Sequence, residues 1–446
     1  MTNHTDVGIP APTLARTPIR HVVAASLTGT ALETYDLYLY GTASALIFAP
    51  LFFPAADPTA SLLLSLSSFA VSFVARPVGA IVFGHYGDRI GRRTILMISL
   101  VIMGLATFAI GLLPTYSAIG ALAPALLVLL RFLQGFGFGG EYSAAVLIIA
   151  EHAPPAKRGF YAGINNIGPS IGFVLSTSVF LLCLLVFSPE DFLAWGWRIP
   201  FLLSIVLVGV GLYLRLRIEE SPVFADTVRA GERRRVPFFA LFRHYPRQVL
   251  LGTGALISMS ALFYFFSVYS LSYGTTVIGH DRGTMLIILM AVIAVSGALI
   301  PVFARLSDRF GRRVLSIGGV GLATLWMYPM MWLIDTGSLG GLTVALLVLM
   351  IFFSMFYGPM AAFLGELFGT SVRSTGVGIV FNFSAILGAA ITPLVLTALV
   401  AAAGASWPVP LYLTAIGVLS LCCILALRET KDVDLRMDHT APPQLS

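Results

Sequence analysis

The sequence predicts an all-α integral membrane protein with twelve transmembrane helices in two pseudo-symmetric six-helix bundles. Three observations predict it. The 446 residues are 57% hydrophobic and only 11% charged, with a mean hydropathy of +0.91. Soluble domains carry roughly 25% charged residues, so lipid must be the solvent for much of this chain. About twelve apolar runs of 18 or more residues follow one another, separated by charged or Pro/Gly-rich turns. Finally, a ten-residue motif occurs twice, about 220 positions apart and each time between two long apolar runs. The copies are Gly84-His85-Tyr86-Gly87-Asp88-Arg89-Ile90-Gly91-Arg92-Arg93 and Ala304-Arg305-Leu306-Ser307-Asp308-Arg309-Phe310-Gly311-Arg312-Arg313. A second pair, Glu151…Arg158 and Glu366…Arg373, recurs at an offset of 215. Two homologous halves in an apolar chain imply two bundles that rock around a site between them, which is how a transporter is built.

Taken in order, the first run, near 21–49, follows a polar start of about 20 residues and is too long for the apolar core of a signal peptide. It carries Glu33 and Asp36. The second, 60–84, contains Arg76 and Pro77 and leads into the first motif copy, and the third, 94–113, leaves it. The fourth, 119–149, holds Arg131, the stretch Gly135-Phe136-Gly137-Phe138-Gly139-Gly140, and Glu141. No strand precedes those glycines, so a dinucleotide fingerprint is excluded, and Gly135 and Gly139 are spaced for close helix packing. The fifth and sixth runs lie near 159–187 and 196–217. The second half repeats the plan at 248–273, 283–304, 314–334, 340–367, 374–402 and 408–427, the first of these turning aromatic and Ser-rich from Tyr264 to Tyr273. Pro77, Pro169 and Pro393 are expected to kink their helices.

This divides the chain into an N-terminal tail (1–20), a first six-helix bundle (21–217), a linker (218–247), a second bundle (248–427) and a C-terminal tail (428–446). The linker carries Arg233-Arg234-Arg235 and reads as a solvated basic loop. With the N-terminus inside, 23 of the 27 Lys and Arg residues fall on the cytoplasmic side, so both termini are expected there. The same bias accounts for the net charge of +6 without nucleic acid. Cys183, Cys422 and Cys423 sit inside apolar runs, suit neither a disulfide framework nor a metal site, and read as apolar fillers. A P-loop needs Gly-Lys before Ser or Thr. The two lysines, Lys157 and Lys431, follow Ala156 and Thr430, so no ATP engine is present in the chain. No cofactor, metal or catalytic residue is expected, and the protein is expected to work as a monomer in a plasma (inner) membrane.

An ionisable side chain inside hydrocarbon costs several kcal/mol and is a functional candidate by default. Five stand out: Glu33, Asp36, Arg76, Arg131 and Glu141. Glu33, Asp36 and Tyr40 share one stripe of the first helix. At about 1.5 Å per residue, Asp36 lies roughly 22 Å along that helix and Arg131 roughly 18 Å along the fourth, so the two meet near mid-membrane. Two acids and two arginines there would balance. Two readings stay open. In a coupled site, an arginine binds either a substrate carboxylate or a neighbouring Asp, and protonating that Asp frees the arginine. In a fixed ion-pair network, the same charges only orient helices. No histidine lies deep in any run, so a proton relay would use carboxylates.

The repeated motif reads as a gate latch made of Gly84, Asp88, Arg89 and Arg92, with Asp308, Arg309 and Arg312 in the second copy and Glu151, Arg158, Glu366 and Arg373 beside them. Gly84 and Gly87 are expected to let two helices turn tightly. Asp88 is expected to accept from a facing helix N-terminus, where the macrodipole is positive.

At this point the residues resemble the major facilitator superfamily and, within it, the metabolite:proton symporter family. The strings that carry the resemblance are Arg76-Pro77-Val78-Gly79, Arg131-Phe132-Leu133-Gln134-Gly135, Gly139-Gly140-Glu141-Tyr142, Trp195-Gly196-Trp197-Arg198-Ile199-Pro200-Phe201, Glu219-Glu220-Ser221-Pro222 with Phe224, and Tyr357-Gly358-Pro359. The resemblance runs from about residue 20 to 435. It implies proton-coupled symport of a small organic acid or zwitterion by alternating access. A shikimate-like cyclic acid comes first; di- or tricarboxylates such as 2-oxoglutarate and citrate, or betaine and proline, are alternatives, and an uncoupled facilitator is an alternative class. Asp36 and Arg131 match a protonation-controlled pair of related sugar–proton symporters. The superfamily's cavity-lining helices nominate Tyr264, Tyr269 and Tyr357 beside Tyr40. Two departures stand out: Thr34 replaces an aromatic residue usual beside the helix 1 acid, and Ala304 replaces the first motif glycine, which suggests a looser second latch.

Overall fold

A computed structural model of the chain describes residues 19–55, 57–90, 92–139, 157–216, 238–369 and 372–431, all of whose regular structure is helical. Helices satisfy every backbone group within one segment, as a chain in lipid requires. The membrane-crossing elements are α1 (Ile19–Leu46), α2 (Pro58–Ile90), α3 (Arg92–Leu112), α4 (Leu122–Phe138), α5 (Gly159–Val186), α6 (Pro189–Tyr213), α7 (Pro246–Thr276), α8 (Arg282–Phe310), α9 (Arg312–Asp335), α10 (Leu339–Glu366), α11 (Thr375–Ala403) and α12 (Pro408–Ala426). Nine of these, among the described residues, are long and apolar enough to span a bilayer by composition alone. The other three are α1, which carries Glu33 and Asp36, and the shorter apolar stretches of α3 and α4.

Packing forms two groups of six. In the first, α1 lies on α5 and α4 lies between α2 and α3; in the second, α10 lies between α8 and α9 while α12 covers α7 and α9. Added side chains at Gly135 and Gly139 would strike the backbone of α2 at Ser72 and Arg76, so those glycines serve close packing. The groups meet along four pairs: α5 with α8, α5 with α10, α2 with α11, and α1 with α7. Of α7, 89% of the apolar stretch is buried, against 33–50% for the other eight long spans. α7 is therefore enclosed along its length, as α1 is from Thr30 to Leu46, while the other eight long spans each turn a face outward. Aromatic rings fill the seam: Tyr38 lies 5.4 Å from Phe173 and 5.2 Å from Phe263, and Phe263 lies 5.6 Å from Phe353.

Two local features explain sequence strings. Trp197 is fully buried among Phe48, Phe52 and Phe201, and Arg198 donates to the carbonyls of Gly111 (2.9 Å) and Leu113 (2.5 Å). It thereby satisfies carbonyls left open at the end of α3. The motif turn corrects an expectation. Gly84 and Gly87 lie inside α2, which runs on to Ile90. In the second copy a single residue, Gly311, reverses the chain between α8 and α9 with φ +104°. Abutting helices turn within one residue only through a backbone conformation that glycine alone adopts without strain.

Candidate functional site

Three helices deliver a cluster of charge to the middle of the first bundle, and a fourth, α3, closes it with Met103 and Thr107. On α1, Glu33, Asp36, Leu37 and Tyr40 follow helical spacing, as do Ser68, Ser72 and Arg76 on α2 and Arg131, Gln134 and Phe138 on α4. Glu33, Asp36, Ser72, Arg76, Met103, Arg131, Gln134 and Phe138 line one cavity of about 10 Å³, which is room for roughly one water. Their burial is deep: 5% exposure for Glu33 and Asp36, 3% for Arg76 and 1% for Arg131.

Arg131 and Asp36 are joined indirectly. Arg131 Nη1 donates to Gln134 Oε1 at 2.9 Å, Gln134 Nε2 donates to Thr107 Oγ1 at 2.5 Å, and Thr107 faces the Asp36 carboxylate. The Arg131 guanidinium lies 4.1 Å above the Tyr40 ring and 5.0 Å from Phe69, while Tyr40 is held by Ser68 at 2.7 Å. Arg76 lies between Phe73 (4.3 Å) and Phe138 (4.1 Å) and faces Tyr264. Aromatic faces stabilise a desolvated cation without consuming its N–H donors. Accordingly, among the described residues, Arg131 Nε and Nη2 and Arg76 Nε are buried without a hydrogen-bond partner. Such donors are costly to leave unmade, and each is a place for an incoming acceptor.

The structure thus brings together Glu33, Asp36, Arg76 and Arg131, with Tyr40 and Tyr264 at the edge. Tyr357 stands elsewhere, in the seam: its ring stacks on Phe353 at 5.1 Å and its carbonyl accepts from Asn166. Tyr269 belongs to a separate stack with Phe265 and Tyr273, which ends on Asp335 through the Tyr273 hydroxyl. Glu141 lies outside the described residues. Gln134 and Thr107 join the site although they carry no charge. Gln134 stands three residues after Arg131, a helical neighbour, whereas Thr107 looks like any hydroxyl in an apolar run.

At the motif end of the molecule, Asp308 of α8 accepts from Gly159 N and Phe160 N, both at 2.9 Å, at the start of α5. A carboxylate from one bundle caps a helix of the other, where the exposed N–H groups and the dipole favour negative charge. Arg312 braces Asp308 at 2.6 Å and lies 3.5 Å from Glu366. Arg373 donates to the Phe368 carbonyl, and Arg309 rests near Phe310. The side chains of Asp88, Arg89, Arg92 and Arg158, the surroundings of Gly84, and all of Glu151 lie outside the described residues. Ala304 is fully buried against Gly163 of α5, where a Cβ would collide with it. The bulk lost on one helix is gained on the other, so the second contact is close rather than loose.

The C-terminal segment adds a strap that the sequence reading did not include. Glu429 accepts from Arg312 N (2.9 Å) and Arg313 N (3.0 Å) at the start of α9. Thr430 donates to Glu366, and Lys431 Nζ donates to the Arg309 carbonyl.

With this geometry in view, residues 27–393 match the Major Facilitator Superfamily, and residues 300–437 match it again. The chain belongs to the major facilitator superfamily. An inner membrane metabolite transport protein of Escherichia coli K12, YhjE, is 41% identical over 93% of this chain and 95% of its own length. The shikimate transporter of the same strain is 36% identical over 94% and 97%. The proline/betaine transporter of Salmonella typhimurium is 35% identical over 94% and 85%. Among solved structures, the proton:xylose symporter XylE bound to 6-bromo-6-deoxy-D-glucose has a TM-score of 0.75, at 18% identity, covering 94% of this chain and 98% of that one. This superfamily member is a membrane transporter, not an enzyme, and its relatives place it with the metabolite:proton symporters.

Proposed function

We propose that this transporter couples the entry of a small organic acid to protons in the inner membrane, with both termini cytoplasmic, acting as a monomer. The observation that carries the reading is the pair of buried arginines with unfilled donors, set beside two carboxylates in a cavity next to the seam. With Glu33 and Asp36 ionised, the site is close to neutral. Protonating Asp36 leaves the guanidiniums with excess positive charge, which a substrate carboxylate restores to balance. Only the empty deprotonated and the loaded protonated site are then inexpensive to carry through the closed seam. Coupling follows from that restriction, and the Asp308 contact is the latch that parts at the cytoplasmic side.

A shikimate-like cyclic acid is the first substrate, since one carboxylate suffices for Arg131, and a shikimate transporter stands among the relatives. The unfilled Arg76 Nε favours a di- or tricarboxylate as second choice, and betaine or proline follows from the third relative. The test is labelled shikimate uptake into proteoliposomes with and without an inward proton gradient. Accumulation above equilibrium only with the gradient is expected. Equal final levels in both would indicate an uncoupled facilitator, and no uptake sends the same assay to 2-oxoglutarate, citrate and betaine.

A further inference from the structure

Helix α5 is interrupted where its first stretch, Arg158–Asn165, gives way to Gly168–Val186, and two asparagines stand at the break. Asn165 and Asn166 are each 1% exposed. Asn166 Nδ2 donates across the seam to the Tyr357 carbonyl of α10 at 2.9 Å. A carbonyl partner demands the NH₂ group, so this bond fixes the amide orientation, and the atom left over is Oδ1, an acceptor with no partner among the described residues. Asn165 Oδ1 accepts from Thr30 at a long 3.4 Å, and its Nδ2 has no partner among the described residues. Buried amide groups are nearly always paired, so two neighbouring exceptions between mobile bundles call for a reason.

The chemistry of the reason is narrow. One open acceptor beside one open donor complements a hydroxyl, which both donates and accepts. A single open oxygen beside an N–H donor supplies too few ligands for a metal ion, and a quaternary ammonium has no proton for Oδ1. Thr30, which touches Asn165, stands six residues before Asp36, or roughly 9 Å along α1. Thr30 is also one helical step, three residues, from Glu33 of the charge cluster, so the asparagines adjoin the α1 face that carries the acids.

We propose that Asn165 and Asn166 form an uncharged hydrogen-bonding subsite that selects hydroxyl-bearing carboxylates over carboxylates of the same shape without the hydroxyl. This rests on the organic-acid reading above. When the cytoplasmic side opens, the bond from Asn166 to Tyr357 parts and the whole amide turns to the ligand. A site built to pair a hydroxyl rejects the analogue that lacks it, because its own polar groups then stay unpaired.

The test is calorimetric binding to the purified protein of three matched pairs: shikimate and cyclohexene-1-carboxylate, malate and succinate, hydroxyproline and proline. In at least one pair the hydroxylated member should bind at least about tenfold more tightly. Asn166→Leu should shrink that preference to about twofold by weakening the hydroxylated member alone. Asn165→Leu, which spares the Tyr357 bond, should do the same and serves where the first variant fails to fold. A gate-only role predicts altered transport rates with the ratio of dissociation constants unchanged, and that result overturns the subsite. Equal binding within every pair by the parent protein overturns it too, while leaving the organic-acid reading standing. Binding of none of the six overturns the subsite and sends the organic-acid reading to 2-oxoglutarate and citrate.

Discussion

At the scale of single residues, the proposed chemistry rests on the arginines and its geometry on their uncharged neighbours. Charged groups in an apolar run stand out by cost, which is why Glu33, Asp36, Arg76 and Arg131 were legible in the sequence. The link from Arg131 through Gln134 and Thr107 toward Asp36 was not. It depends on which helices face each other, and a threonine in hydrocarbon is unremarkable by composition. Asp36→Asn removes the exchangeable proton while keeping size. It should abolish gradient-driven accumulation yet leave counterflow exchange near the parent rate, and retained accumulation would remove Asp36 from the coupling role. Arg131→Lys keeps the charge but loses the planar fork that binds Gln134 and leaves two donors open. At least a tenfold rise in apparent KM is expected, or loss of transport; parent kinetics would mark the arginine as structural.

The elements add what single residues cannot. Twelve apolar runs were readable because lipid imposes length and hydrophobicity on each one. Their ends and breaks were less so. The motif looked like a loop rich in glycine, yet α2 runs through Gly84 and Gly87, and the corresponding corner in the second half turns on Gly311 alone. The wide-turn segments Phe265–Tyr269 in α7 and Ala385–Ala390 in α11 leave no mark that periodicity detects. The strap at Glu429 was hidden for another reason: a single acid beyond the last span has no pattern around it. Glu429 caps α9, and N-cap bonds are worth about 1 kcal/mol. Glu429→Ala should therefore lower the thermal midpoint in detergent by a few degrees, whereas Lys431→Ala, which removes one exposed contact to a carbonyl, should leave it within error. Equal midpoints for the Glu429 variant and the parent would show that the strap carries no stability.

For the whole molecule, duplication made the two-bundle plan visible, since repeats in an apolar chain have to bury matching faces against each other. The state of the seam depends on side-chain contacts between the halves, which no repeat encodes. In this structure the seam is closed, with Asp308 on the α5 terminus at one end, aromatic rings at the middle, and α1 against the last turns of α7 at the other. A closed seam over a near-neutral charge cluster makes a quantitative demand on energetics. If one proton enters with one monoanion, each pH unit across the membrane supplies about 1.4 kcal/mol, and the steady-state accumulation ratio should change about tenfold per unit. Acidifying the outside at fixed internal pH raises accumulation, and alkalinising it lowers accumulation. The cycle moves no net charge, so valinomycin-clamped potentials should leave the ratio unchanged. A slope near two in log accumulation against the pH difference would mean that Glu33 and Asp36 each carry a proton, and a response to potential should then appear with a monoanion because net positive charge moves. A slope of zero at every potential would reduce the two acids to structural counterions and the transporter to a facilitator.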